Sequence, residues 1–381
     1  MTPVSPVRQR ARARTVWALA CALLTVLATL GDTTVSAART RSKSTPPPLV
    51  FGIYPGGAAG TVGPSGPVKP EDPALRLSAL ERLRPSGRPF VLHLYVGYSG
   101  AGGYSAEQQI GAQIAAYGRA GFQTELVLCY RPTDGGSAAD VSGFVQFVRK
   151  TVDTMGSDRG LVSLQVTDEA NQGGSPNTSD GSYLGAPDAL IDGVIAAKVE
   201  IRKDGRNRIK VGFNWADSAD GPARAFWQYL GRHGGRRFVD ALDWVGLDAY
   251  PFTWDSPPPP GKGGLGAASA SFIDGVLGRL RSTYLPLAGI PRSVSLELSE
   301  IGYPTGPGRT YAMQATVLKA TASAVYRARG TYNVTGYRWF DLRDADSSSS
   351  SFESQYGLMR DDYTPKSAFG VYRALVAKFS K

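Results

Sequence analysis

The sequence predicts an α/β protein built as a (β/α)8 barrel, the TIM-barrel fold, in a single domain. Eight short apolar runs alternate with segments of helical spacing between Leu49 and Lys381, a stretch of about 330 residues. The opening run is not followed by the glycine fingerprint and helix start of an open dinucleotide-binding sheet, although Phe51–Gly60 carries glycines. Polar and aromatic residues, two glutamates among them, gather where the runs end, and strand ends are where barrel chemistry gathers.

The runs are rich in Val, Leu, Phe or Tyr and close on Gly, Pro or Asp, as strands opening into loops do. In order they are Leu49–Tyr54, Phe90–Val96, Gln123–Cys129, Leu161–Thr167, Ile209–Asn214, Trp244–Ala249, Val294–Ser299 and Gly336–Asp341. The first helix is expected over Ala74–Leu83 behind Asp72-Pro73, a cap followed by a proline suited to the first turn. Ser105 and Gln108 read as a capping box before Ile110–Tyr117. Further helices are expected over Asp140–Met155, Pro187–Val199, Ser269–Leu280, Thr310–Arg329 and Pro365–Phe379.

Before this domain, Arg8, Arg10, Arg12 and Arg14 precede an apolar run from Val16 to Leu30, with small residues at Val35-Ser36-Ala37 and Ser36-Ala37-Ala38. Residues 1–38 read as a secretory signal peptide, because the run is shorter than the roughly 20 residues a membrane span needs. An uncleaved anchor is the competing reading. Residues 39–48 are basic and Pro-rich, a linker, and 49–381 form the domain. A secreted protein with no stable membrane association after cleavage is therefore expected.

Composition removes several function classes. Of the +10 net charge, the four leader arginines against Asp32 account for three units, which leaves about +7, dispersed except for Arg202–Lys210. No nucleic-acid partner is expected from such a pattern. Two histidines, His93 and His233, are too few for a His-rich metal site or a convincing serine-hydrolase triad around Gly97–Ala101. Only Cys129 remains after signal cleavage, so an intrachain disulfide is excluded and a small core residue is the reading for it.

Glu169 ends the fourth run, in Leu161–Asn171, and Glu300 ends the seventh, in Ser293–Gly306. Two strand-end carboxylates, distant in sequence and converging on one pocket, are the minimum for acid/base cleavage of a glycosidic bond. Three short motifs, TDEAN at strand four, LELSEIGYPTG at strand seven and YRWFDLRDAD at strand eight, together with the tail Gln355–Leu375, resemble the clan A retaining glycoside hydrolases. The resemblance covers nearly all of Leu49–Phe379. It implies catalysis by Glu169 as general acid/base and Glu300 as nucleophile, a poly- or oligosaccharide substrate, and no metal or organic cofactor. It further implies that Trp339 forms the floor of the subsite for the cleaved sugar and that Tyr250 orients the nucleophile. Asn214 is expected to line the floor, with core packing as the competing reading for it and for Tyr250.

The chain departs from that family at Asp168, where asparagine usually precedes the acid/base, and at Ala170, where proline is frequent. Asp168 is expected to bind the sugar 2-hydroxyl and to raise the Glu169 pKa by its charge, or else to turn into the barrel wall against an arginine. These departures also support a second reading, a secreted carbohydrate-binding barrel with weak or no catalysis. Glu297 is the rival nucleophile. Regular alternation would face it away from Glu300, deeper in the strand. Trp215, Trp254, Tyr98, Tyr183 and Tyr303 are candidates for further subsites, and the proline run Pro257–Pro260 for a cleft wall.

Overall fold

A computed structural model describes residues 45–380 except 58–61, 64–65, 101–103, 133–137 and 255–262, and omits the side chains of 62–67 and 104–107. The signal segment, most of the linker and Pro257–Pro260 lie outside the described residues. Among the described residues no helix is long and apolar enough to cross a membrane.

The eight apolar runs become parallel strands: β1 (Val50–Ile53), β2 (Phe90–Tyr98), β3 (Gln123–Tyr130), β4 (Leu161–Val166), β5 (Lys210–Ala216), β6 (Trp244–Ala249), β7 (Ser295–Ile301) and β8 (Val334–Trp339). Each pairs with its sequence neighbour, and β8 pairs with β1, which closes the barrel. Around it run α1 (Pro73–Leu83), α2 (Tyr104–Arg119), α3 (Val141–Met155), α4 (Ala186–Lys203), α5 (Asp220–Val239), α6 (Gly264–Arg279), α7 (Tyr311–Tyr332) and α8 (Ser367–Phe379). The fold is the predicted (β/α)8 barrel.

Caps start several helices where the sequence places them. Asp72 accepts from Ala74 and Leu75 N–H at 2.8 and 3.0 Å, and Asp140 from Gly143 N–H at 3.0 Å, contacts that contribute about 1 kcal/mol each. Helix α2 begins at Tyr104, so Ser105 lies inside its first turn and the expected capping box does not start it. Helix α5 has no counterpart among the expected helices. Its Gly-rich end is non-helical at Gly235 (φ 57°, ψ −160°), and no side chain caps its start.

Strand alternation divides the apolar from the polar side chains. Outward residues pack on the helices: Phe51 lies against Tyr337 and Tyr372, Tyr130 against Phe144, and Phe213 against Trp227. Each such burial contributes about 1.5–3 kcal/mol. The inward side is a polar plug. Arg338 bonds Glu297 at 2.9 Å and approaches Glu125 at 3.5 Å, and His93 Nδ1 lies 2.9 Å from Glu125. Burial pushes the Glu125 carboxyl up, but Arg338 and His93 outweigh it and hold the group at about 2. Glycines make room for this plug: a Cβ on Gly52 would fall 2.6 Å from the Arg338 side chain, and one on Gly212 would enter the Trp244 ring.

Candidate active site

The chain turns sharply as it leaves β4. Thr167 and Glu169 both take positive φ, 64° and 48°, a region costly for residues with a Cβ, by about 1–3 kcal/mol each. Buried hydrogen bonds hold this backbone. Asp180 accepts the N–H of Tyr130 at 2.6 Å and of Asp168 at 2.7 Å, while Asn214 Oδ1 accepts the N–H of Glu169 at 2.8 Å. Asn171 bonds both the N–H and the C=O of Ala216, which ties the same turn to the end of β5. The Glu169 side chain then accepts one hydrogen bond, from the Ser179 hydroxyl to Oε2 at 2.6 Å.

Across the mouth, β7 carries a bulge. Leu247 of β6 pairs with Leu298, but the next residue, Asp248, pairs with Glu300, so Ser299 is the extra residue. Its hydroxyl donates to Asp248 Oδ1 at 2.6 Å. The slip turns both Glu297 and Glu300 inward, contrary to the regular alternation expected from the sequence. Glu297 pairs with Arg338 in the plug, and Glu300 stands above it at the mouth. Tyr250 donates to Glu300 Oε2 at 2.6 Å, and Tyr95 donates to Oε1. His93 Nε2 lies 4.0 Å from the same Oε1.

Acidic groups crowd this point. Oxygens of Asp168, Asp248 and Glu300 lie within 4.8 Å of one another. Asn214 bridges two of them, donating to Asp168 at 3.0 Å and also to Asp248. Arg131 approaches Asp168 at 3.5 Å and Asp180 at 3.4 Å. Burial and then the Glu300 charge push Glu169 up to about 8, against the Ser179 hydrogen bond, which acts downward. Asp168 and Asp248 are also raised well above the usual carboxylate range, again by burial first and Glu300 second. The source of the Glu169 shift thus differs from the one expected: Glu300, rather than Asp168, is the leading charge.

No protein-family model and no curated protein sequence matches the chain. Solved structures do resemble it. A GH5_18 enzyme from Streptomyces cattleya in complex with GlcNAc superposes with a TM-score of 0.58 at 17% identity, covering 88% of this chain and 81% of that one. A GH5_18 structure from Bifidobacterium longum subsp. infantis gives 0.62 at 13% identity, with 87% and 79% covered. A beta-glucosidase from Exiguobacterium marinum gives 0.54 at 11%, with 79% and 85% covered. The fold is that of clan A glycoside hydrolases.

Within this barrel, Glu169 and Glu300 lie at the mouth, at the ends of β4 and β7, and Tyr250 donates a hydrogen bond to Glu300. Asp168 faces the inner acidic cluster and also contacts an arginine, so it is not in the barrel wall. Two expectations are corrected. Asn214 is fully buried with both ends of its carboxamide bonded, so it supports Glu169 and Asp168 from behind instead of lining the floor. Trp339 is also fully buried. It follows Arg338, which points into the plug, so alternation turns the indole away from the lumen. The next residue, Phe340, is half-buried at the mouth, stacked on Tyr54 at 5.3 Å and edge-on to Tyr250 at 6.4 Å. Phe340 takes the place at the mouth that Trp339 was expected to fill.

Tyr95, Ser179 and Asp180 have no counterpart among the expected site residues. For Tyr95 the signal was present: it shares parity with His93 on β2, the side opposite the apolar residues Phe90 and Leu92. Ser179 and Asp180 belong to a loop of ordinary polar composition. A cavity of about 520 Å³ opens beside the barrel mouth, lined by Tyr54, Tyr95, Gln113, Cys129, Arg131 and Glu71.

Proposed function

We propose that the protein is a secreted glycoside hydrolase that cleaves O-glycosidic bonds of an oligo- or polysaccharide with retention of configuration. Glu169 is the acid/base and Glu300 the nucleophile. The observation that carries this reading is the contrast between the two glutamates. Burial and the Glu300 charge push the half-buried Glu169 up to about 8, whereas Glu300 is aimed by two phenolic donors.

In the first step the Glu169 proton passes to the leaving glycosidic oxygen as a Glu300 oxygen bonds the anomeric carbon. Tyr95 and Tyr250 keep the attacking carboxylate from rotating. In the second step Glu169, now ionised, takes a proton from water, and the water oxygen displaces Glu300 from that carbon. The two carboxyl groups perform both steps. Secretion rests on the basic and apolar pattern of residues 1–38. The test is proton NMR of the first product anomer formed from a cleaved oligosaccharide, together with turnover by Glu169→Gln and Glu300→Gln. Retained configuration and loss of turnover in both folded variants are expected. An inverted product, or turnover that survives Glu300→Gln, would remove the mechanism.

A further inference from the structure

Of the five described tryptophans, Trp215, Trp227, Trp244 and Trp339 are at most 2% exposed, while Trp254 is 64% exposed. It is exposed but not loose. Its Nε1–H donates to Glu353 Oε1 at 2.7 Å, and the other oxygen of Glu353 accepts from the Tyr356 hydroxyl at 3.3 Å. Behind these, Arg309 stacks over Phe352 at 4.1 Å. The Trp254 ring stands 5.5 Å from Tyr250, the residue that holds Glu300 Oε2. A bare indole against the tyrosine that holds Glu300, with its one polar atom already bonded, offers a flat apolar face to the solvent. Such a face matches the C–H face of a pyranose.

The two sides of Glu300 differ. The 520 Å³ cavity borders Tyr95, which holds Oε1, and Trp254 borders Tyr250, which holds Oε2. A chain of sugars crossing Glu300 would meet the cavity on one side and the indole on the other. We propose that Trp254, fixed by Glu353, is a stacking platform for a sugar unit beside the one being cleaved, so that the substrate is a glycan of at least two units and not a glycoside of a small alcohol. This rests on the hydrolase reading above and adds the substrate length to it.

The experiment uses β-1,4-glucan, β-1,3-glucan, β-1,4-mannan and β-1,4-xylan hexaoses, with the matching p-nitrophenyl β-monoglycosides, on the full protein. Binding is followed by tryptophan fluorescence and cleavage by product analysis. Trp254→Ala is expected to lower kcat/KM on the cleaved hexaose about ten-fold, through KM, and to leave the monoglycoside within two-fold. Trp254→Tyr should restore most of the loss, and Glu353→Gln should lie between. Equal losses on both substrate lengths, or no loss on the hexaose, overturn the platform and leave the hydrolase standing. If a hexaose binds without being cleaved, the hydrolase reading fails and the platform is judged by the Kd of Trp254→Ala. If no hexaose binds or is cleaved, both fall.

Discussion

The Ser179 hydroxyl donates to Glu169 Oε2 at 2.6 Å, a hydrogen bond that favours the ionised form and so holds down a carboxyl that burial and Glu300 still raise to about 8. Removing that donor should move the group further up. Because the first step needs Glu169 protonated, activity is lost as pH rises through its pKa. Ser179→Ala is expected to shift the alkaline limb of kcat/KM to higher pH with the acid limb in place. A pH–rate profile checks this, and an unmoved or lowered alkaline limb refutes it.

Tyr95 and Tyr250 hold the two oxygens of Glu300. A hydrogen bond to a charged group contributes about 1.5–3 kcal/mol. Tyr95→Phe and Tyr250→Phe should each lower kcat by roughly ten-fold to a hundred-fold. The double variant should fall short of the product of the two, because each phenol restrains the same carboxylate. Unfolding curves should stay close to those of the parent.

Asp168 is buried and its pKa is raised by burial and by Glu300, Asp180 and Glu169. A carboxyl raised in the folded state contributes stability below its unfolded value, near 4, and loses it as pH rises toward the folded value. Asp168→Asn has no such loss. Its Tm, compared with the parent, should therefore improve from pH 5 to pH 8. A constant Tm difference across that window would show that Asp168 titrates alike in both states.

Glu297 and Glu300 share a strand but not a task. Glu297→Gln should keep turnover, with Arg338 still able to bond the amide. Arg338→Ala should cost about 3–5 kcal/mol in urea unfolding, since it strands Glu125 and Glu297 in the plug. Turnover lost in a folded Glu297→Gln protein would transfer the nucleophile to Glu297.

Trp339 and Phe340 separate packing from binding. Trp339→Ala is expected to lose about 3–5 kcal/mol of stability with little change in KM for the folded protein. Phe340→Ala should raise KM at a smaller cost in stability. The reverse pattern, read by substrate titration and chemical unfolding, would restore Trp339 to the substrate floor.

These pairs show what was legible in the sequence. Every strand was visible because each carries enough Val, Leu, Phe or Tyr to be buried on its helix side. The ends of β4 and β7 were visible because glutamate is unexpected at the close of such a run. Parity at the ends was not visible. Trp339 and Phe340 are both aromatic, and nothing local says which one the last turn of β8 sends to the mouth. The bulge at Ser299 was hidden for a similar reason, since serine fits a regular strand as well as a slipped one. Helix α5 was obscured by Gly231, Gly234 and Gly235, which lower helical propensity in the C-terminal half of a segment whose Phe226, Trp227 and Leu230 do pack inward. The donor Ser179 and the acceptor Asp180 reach the site only because their loop folds back, a relationship with no trace in spacing.

The extra residue in β7 carries one more consequence. With Ser299 in place, two glutamates three apart face the same way, one spent on holding the barrel and one free to react. No exchange of side chains undoes that division. Deleting Ser299 would leave Glu300 opposite Asp248 and, now two residues from Glu297, still facing inward; what it would remove is the hydroxyl that bonds Asp248 Oδ1. The extra residue thus places a second inward side chain at one level of the barrel, a hydroxyl held on Asp248 beside the carboxylate of Glu300.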